Sequence, residues 1–154
     1  MGSLKEVLTA PAVRRSVIED AIRLIDEEVG AKSGVTGFAL KAGYKVFKKV
    51  KPGVMAAAVD NLLDDFAAAI DPFYEEHVSS GRTGSISQTL LPKRSMVAEA
   101  LLAITDRRAG KHEGGVVKAT YHKLRPMAVR HTEEAIPGVC RLIDKYAGRQ
   151  QPAH

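Results

Sequence analysis

The chain repeats itself, and the repeat constrains the fold more than any other feature. Ser3-Leu4-Lys5-Glu6, with Leu8, Pro11 and Arg14-Arg15-Ser16, is echoed by Ser85-Ile86-Ser87-Gln88, with Leu90, Pro92 and Lys93-Arg94-Ser95. The echo continues from Lys41-Ala42-Gly43-Tyr44 to Lys118-Ala119-Thr120-Tyr121, from Lys51-Pro52 to Arg125-Pro126, and from Ile70-Asp71 to Ile143-Asp144. Matched caps and prolines are not what two unrelated amphipathic helices share by chance. A tandem duplication implies two similar helical halves packed about a pseudo-twofold axis. The fold expected is all-α, with six main helices plus short ones, as a doubled three-helix unit within 154 residues. The halves are about 3–71 and 85–146, joined by a linker at 78–84 and followed by a tail at 147–154.

Local chemistry supports helices throughout. Ser3 with Glu6 forms a capping box, in which each side chain satisfies a free backbone N–H at a helix start. Pro11 suits the first turn of the next helix, whose Val13, Val17, Ile18, Ala21, Leu24, Ile25 and Val29 recur at helical spacing up to Gly30. A helix over about 34–50 carries Val35, Ala39, Ala42, Val46 and Val50 on one face, read as the core side. Lys41, Lys45, Lys48 and Lys49 lie on the other. Pro52 ends it, because the residue before proline avoids the α region. A third helix over 53–70 turns Val54, Ala58, Leu62, Phe66 and Ala69 inward and Asp60, Asp64 and Asp65 outward. Asp71-Pro72 reads as the start of a short extension. In the second half, helices are expected over 92–109, 116–124 and 126–146, with a kink at Pro137.

Cys140 is the lone cysteine, which excludes an internal disulfide and points to a reducing cytoplasm. No run approaches the roughly 20 apolar residues of a membrane span, and Met1 to Glu6 lacks the apolar core of a signal peptide. The net charge of +5 is unevenly distributed. Residues 32–51 hold six lysines and no acid, whereas residues 52–80 hold six acids and no Lys or Arg. Such blocks can neutralise each other within one fold or meet an anionic partner.

The phrases Leu4-Lys5, Lys41-Ala42-Gly43-Tyr44, Lys51-Pro52-Gly53, Leu101-Leu102-Ala103-Ile104-Thr105-Asp106 and Lys123-Leu124-Arg125-Pro126 cover nearly the whole chain. In this order they resemble a bacterial family of small all-helical proteins of unknown function. The resemblance implies a fold but no reaction, and it carries over no catalytic residue.

Two sets of residues are candidates for binding. Arg14, Arg15 and Ser16, with their echo Lys93, Arg94 and Ser95, fall near helix starts. There, cations oppose the helix dipole, and a phosphate or carboxylate would relieve them. The other reading pairs them with Asp60, Asp64, Glu133 or Glu134. The second set is a basic face, Lys41, Lys45 and Lys48, echoed by Lys118, His122 and Arg125. It could meet an anionic lipid surface or a phosphate backbone. Against lipid, the opposite face of that helix is needed for the core. Against nucleic acid, only Tyr44, Phe47 and Tyr121 stand ready to stack on bases.

No metal or cofactor is expected. His131 with Glu134 and the cluster Glu75-Glu76-His77 lack the spacing of a bundle metal site. Cys140 sits in an apolar run and reads as core. A cleft between the halves is a further place for a ligand. The function expected is a non-enzymatic binding module that turns basic helix faces toward an anionic amphiphile or protein partner. A nucleic-acid-associated protein is the second choice, and an enzyme whose site forms no motif is the third. Oligomeric state is left open.

Overall fold

The computed structural model describes residues 3–32, 34–50, 53–82, 84–110 and 115–150. Among them the chain is all helical. The helices are α1 (Leu4–Thr9), α2 (Arg14–Ala31), α3 (Gly34–Val50), α4 (Val54–Ser79), α5 (Ser87–Leu90), α6 (Arg94–Gly110) and α7 (Gly115–Gln150), and a 3-10 turn at Leu91–Lys93 leads into α6.

α1 forms where its cap dictates. Ser3 is extended and its hydroxyl accepts the Glu6 N–H at 3.1 Å. Leu4, Val7 and Leu8, at i, i+3 and i+4, then bury one face. The Leu4 N–H, an orphan of the helix start, donates to Asp71 of α4 at 2.7 Å. The second half repeats this contact: the Ile86 N–H donates to Asp144 of α7 at 2.9 Å. Here Ser85 does not cap as Ser3 does. Its hydroxyl donates to Asp144 and accepts the Ser87 N–H, and the helix begins two residues later.

One cluster of apolar side chains joins the two halves. Leu4, Leu8, Val17, Ala67, Ile70 and Tyr74 meet Ile86, Leu90, Val97, Ile136, Ile143 and Tyr146. The short helices bridge, since α1 and α5 each pack on both α4 and α7. Among the described residues, Gly37 alone is buried between Val17 and Leu63, and none is buried between Ile104 and Ile136. The core therefore occupies one part of the fold. The later turns of α2, with α3 and the start of α4, project from it.

Three expectations change. The helices expected over 116–124 and 126–146 are one helix, α7, which runs through Pro126. The corresponding break at Lys51-Pro52 falls partly outside the described residues, but Gly53 that follows has φ 80°. Left-handed backbone suits glycine and ends a helix. Met127 occupies the equivalent place and lacks that freedom, so the helix goes on. α4 likewise continues through Pro72. Pro72 and Ala68 are exposed, so the carbonyl that loses its donor to the proline ring can bond water.

The buried stripe of α4 is also rotated by one position. Leu63, Ala67, Ile70, Tyr74 and His77 are buried, not Leu62 and Phe66. Asp60 and Asp64 flank this stripe, where Arg14 of α2 reaches them.

α3 is the third correction. Its apolar residues Ala39, Ala42 and Val46 face solvent, not the core, and the side chains of Val35 and Val50 lie outside the described residues. The helix packs mainly on α2, through Gly37, Tyr44 and Lys48, which share a side at i, i+7 and i+11. A Cβ at Gly37 would stand 2.6 Å from the Lys32 carbonyl carbon. Glycine there lets the start of α3 pass close to the end of α2.

Candidate functional site: basic helix faces

The two cationic triplets are not brought together. Arg14 is held by α4: its Nε donates to Asp60 at 2.9 Å, Nη1 to Asp64 at 2.9 Å, and Nη2 to the Asp60 carbonyl at 2.9 Å. These bonds raise its already high pKa and supply the negative charge that the start of α2 calls for. Lys93 is held elsewhere on α4, with Nζ 2.6 Å from Glu76. Asp60 and Glu76 are 16 residues apart on that helix, roughly 24 Å at 1.5 Å per residue. The triplets are thus two separate places. Arg15 is solvent-exposed beside Glu19 at 3.6 Å. Ser16, Arg94 and Ser95 are exposed.

The basic faces divide into an inner and an outer set. Lys48 turns inward: Nζ donates to Asp26 of α2 at 3.0 Å and lies 4.9 Å from the Tyr44 ring centre. The Tyr44 hydroxyl donates to the same carboxylate at 2.6 Å. Hydrogen bonds from Tyr44 and Lys48 hold the Asp26 carboxyl below its usual range. Burial and Asp26 push the Tyr44 phenol up.

Arg125, the echo of Lys48, does the same in the other half. Its Nε and Nη2 grip Asp106 of α6 at 2.9 Å each, and Nη2 also reaches Glu99 at 3.0 Å. His122 is exposed. The Lys118 side chain lies outside the described residues.

Lys41, Lys45 and Lys49 make the outer set. All three are exposed at i, i+4 and i+8 on α3. Beside them runs a row that sequence reasoning assigned to the core or passed over: Phe38, Ala42 and Val46. Phe38 is 76% exposed and Val46 is 60% exposed. Each lysine follows an apolar neighbour by three residues, so the two rows lie side by side.

The remaining candidates have evident structural partners. Buried His77 donates through Nε2–H to the Gly84 carbonyl at 3.0 Å, and its Nδ1 accepts the Thr89 hydroxyl at 2.8 Å. Arg82 donates to the same Thr89 oxygen at 2.7 Å. This network closes the linker onto α4. His131 lies 3.3 Å from Glu134. Among the described residues no three His, Cys, Asp or Glu side chains group as metal ligands would. Cys140 is buried, and burial pushes its thiol up to about 11, away from reactive thiolate character.

A groove does open between the halves, where α2 crosses α7. Leu24, Gly138 and Leu142 line it together with Arg23, Glu27 and Arg141. It is shallow because the helices touch beneath it: a Cβ at Gly138 would fall 2.2 Å from Leu24 Cδ1.

Among the described residues no helix is long and apolar enough to cross a membrane. Comparison with curated proteins and with solved structures found no match. A family model described as a family of unknown function (DUF6918) matches residues 4–147, nearly the whole chain, and the protein belongs to that family.

Proposed function

We propose that this protein is a non-enzymatic binding module, bacterial and cytoplasmic, that meets an anionic partner through α3. One observation carries the reading. Lys41, Lys45 and Lys49 form an exposed row with no acidic neighbour along their helix, while four of the other cations that the sequence singled out, Arg14, Lys48, Lys93 and Arg125, are taken up by carboxylates. Charge left over after internal pairing is what an external anion can use. Nucleic acid is the second choice, because Tyr44, one of the few aromatic side chains able to stack on bases, is committed to Asp26.

The test is retention on immobilised heparin in a salt gradient. The wild type should be retained and elute with salt, whereas Lys41→Glu/Lys45→Glu/Lys49→Glu should pass through. A variant with the same charge change elsewhere, Arg94→Glu/Lys123→Glu/Arg130→Glu, controls for net charge and should still be retained. Equal loss in both variants would mean that overall charge, and not α3, is responsible.

A further inference from the structure

We infer that the anionic partner of α3 is a lipid bilayer surface, with the helix lying flat in the headgroup layer. This rests on the reading of the lysine row just given. A polyanion such as RNA would account for lysines alone. It would not account for the apolar row beside them. Phe38, Ala42 and Val46, with Ala39 and Gly43 next to them, form an exposed outward face of α3 among the described residues. Phe38 is the most exposed large apolar side chain of those described.

An interfacial helix needs both features at once: an apolar stripe that enters the acyl boundary, and cations beside it that reach back to the phosphates. α3 is 17 residues long, about 25 Å, which is enough to lie on a bilayer and too short and too charged to cross one. Its packing fits the same role. α3 rests mainly on α2 through Gly37, Tyr44 and Lys48, so its outer side is presented by a braced helix. The objection that this face is needed for the core does not apply, because the face is not in the core.

A second copy of the chain is the competing occupant. Face-to-face pairing of two α3 helices would set one lysine row against the other, and like charges resist that contact. An anionic bilayer satisfies the lysines and the apolar row together.

The chain has no Trp, so Phe38→Trp places a single reporter on the outer face. Its emission should shift to the blue with vesicles of phosphatidylcholine and phosphatidylglycerol, and stay unchanged with phosphatidylcholine alone. In co-sedimentation, Lys41→Glu/Lys45→Glu/Lys49→Glu should lose about a hundredfold in partitioning, taking roughly one lysine's attraction to an anionic surface three times over. Phe38→Ser/Val46→Ser should lose about tenfold or more in partitioning yet keep its heparin retention. All five positions are exposed, so circular dichroism should show an unchanged fold.

Heparin retention that depends on the lysine row, without any vesicle binding, overturns the bilayer and leaves a soluble polyanion such as nucleic acid. Vesicle binding with no blue shift overturns insertion. A dimer in light scattering that Phe38→Ser turns into a monomer assigns the face to a second copy and overturns the proposal. Loss of row-dependent heparin retention would instead defeat the underlying reading.

Discussion

Asp20 shows how one side chain can tie the halves together and set a pH response. Its carboxylate on α2 accepts the Tyr146 hydroxyl at 2.5 Å and lies 2.7 Å from Lys145 Nζ, both on α7. Burial alone would push the Asp20 carboxyl up, but the bonds from Lys145 and Tyr146 outweigh it and hold the pKa below the usual value. A carboxylate whose pKa is lower in the folded than in the unfolded chain stabilises the fold fully above the unfolded value, about 3.9. That stabilisation is lost as pH falls through the folded value. Tyr146→Phe removes one of the bonds without changing buried shape. It should cost about 1 kcal/mol at pH 7, and less at pH 2, because the carboxylate form that accepts this bond is lost as pH falls through the folded value. Urea unfolding at the two pH values checks this, and an equal cost at both would show that Asp20 is not the group concerned. None of this was legible in the sequence. Asp20 had no motif, and its partner lies 126 residues away.

At the scale of elements, periodicity and caps made most helices legible, and the failures share a cause. Lys51-Pro52 and Arg125-Pro126 look alike, so both were taken as helix ends. What separates them is the next residue. Gly53 adopts φ 80° and lets the chain turn, whereas Met127 continues the helix. Proline costs a helix one hydrogen bond and some strain, and α7 carries that cost at exposed Pro126. Gly53→Ala is the direct test of the turn. No atom lies within 4 Å of a Cβ placed there, so any loss comes from backbone conformation alone. The expected cost is about 1 kcal/mol, read as a lower urea midpoint with unchanged slope. No loss would mean that the α3–α4 turn does not need left-handed backbone. The candidate site was half legible for a related reason. Lys41 and Lys45 stood out by spacing, but the sequence grouped them with Lys48, which pairs with Asp26, and not with Lys49, and Ala42 and Val46 beside them looked like core. Apolar residues at helical intervals usually are core. Which helix has only one close neighbour is a property of the packing, and the spacing within α3 carries no trace of it.

For the whole molecule, the repeat in sequence has a counterpart in the contacts. Asp71 holds the start of α1 and Asp144 holds the start of α5. Lys48 and Arg125 each bind an acid on the preceding long helix. The short helices match as well, since α1 and α5 each pack on both α4 and α7. One core is shared between residues 3–71 and 85–146. Leu4 and Leu8 share their cluster with Ile143 and Tyr146 of the other half. A chain of about 80 residues can bury little more than half of its surface, and is marginal even with a complete core. Severing the linker should therefore give two fragments that do not fold alone. Residues 1–81 and 82–154, made separately, should show weak helicity and no cooperative thermal transition. Mixed in equal amounts they should regain both, because the contacts that cross between them include the Asp20 bonds to Tyr146 and Lys145 and the bond from Lys32 to Glu134. A cooperative transition in either fragment alone would make the halves independent domains.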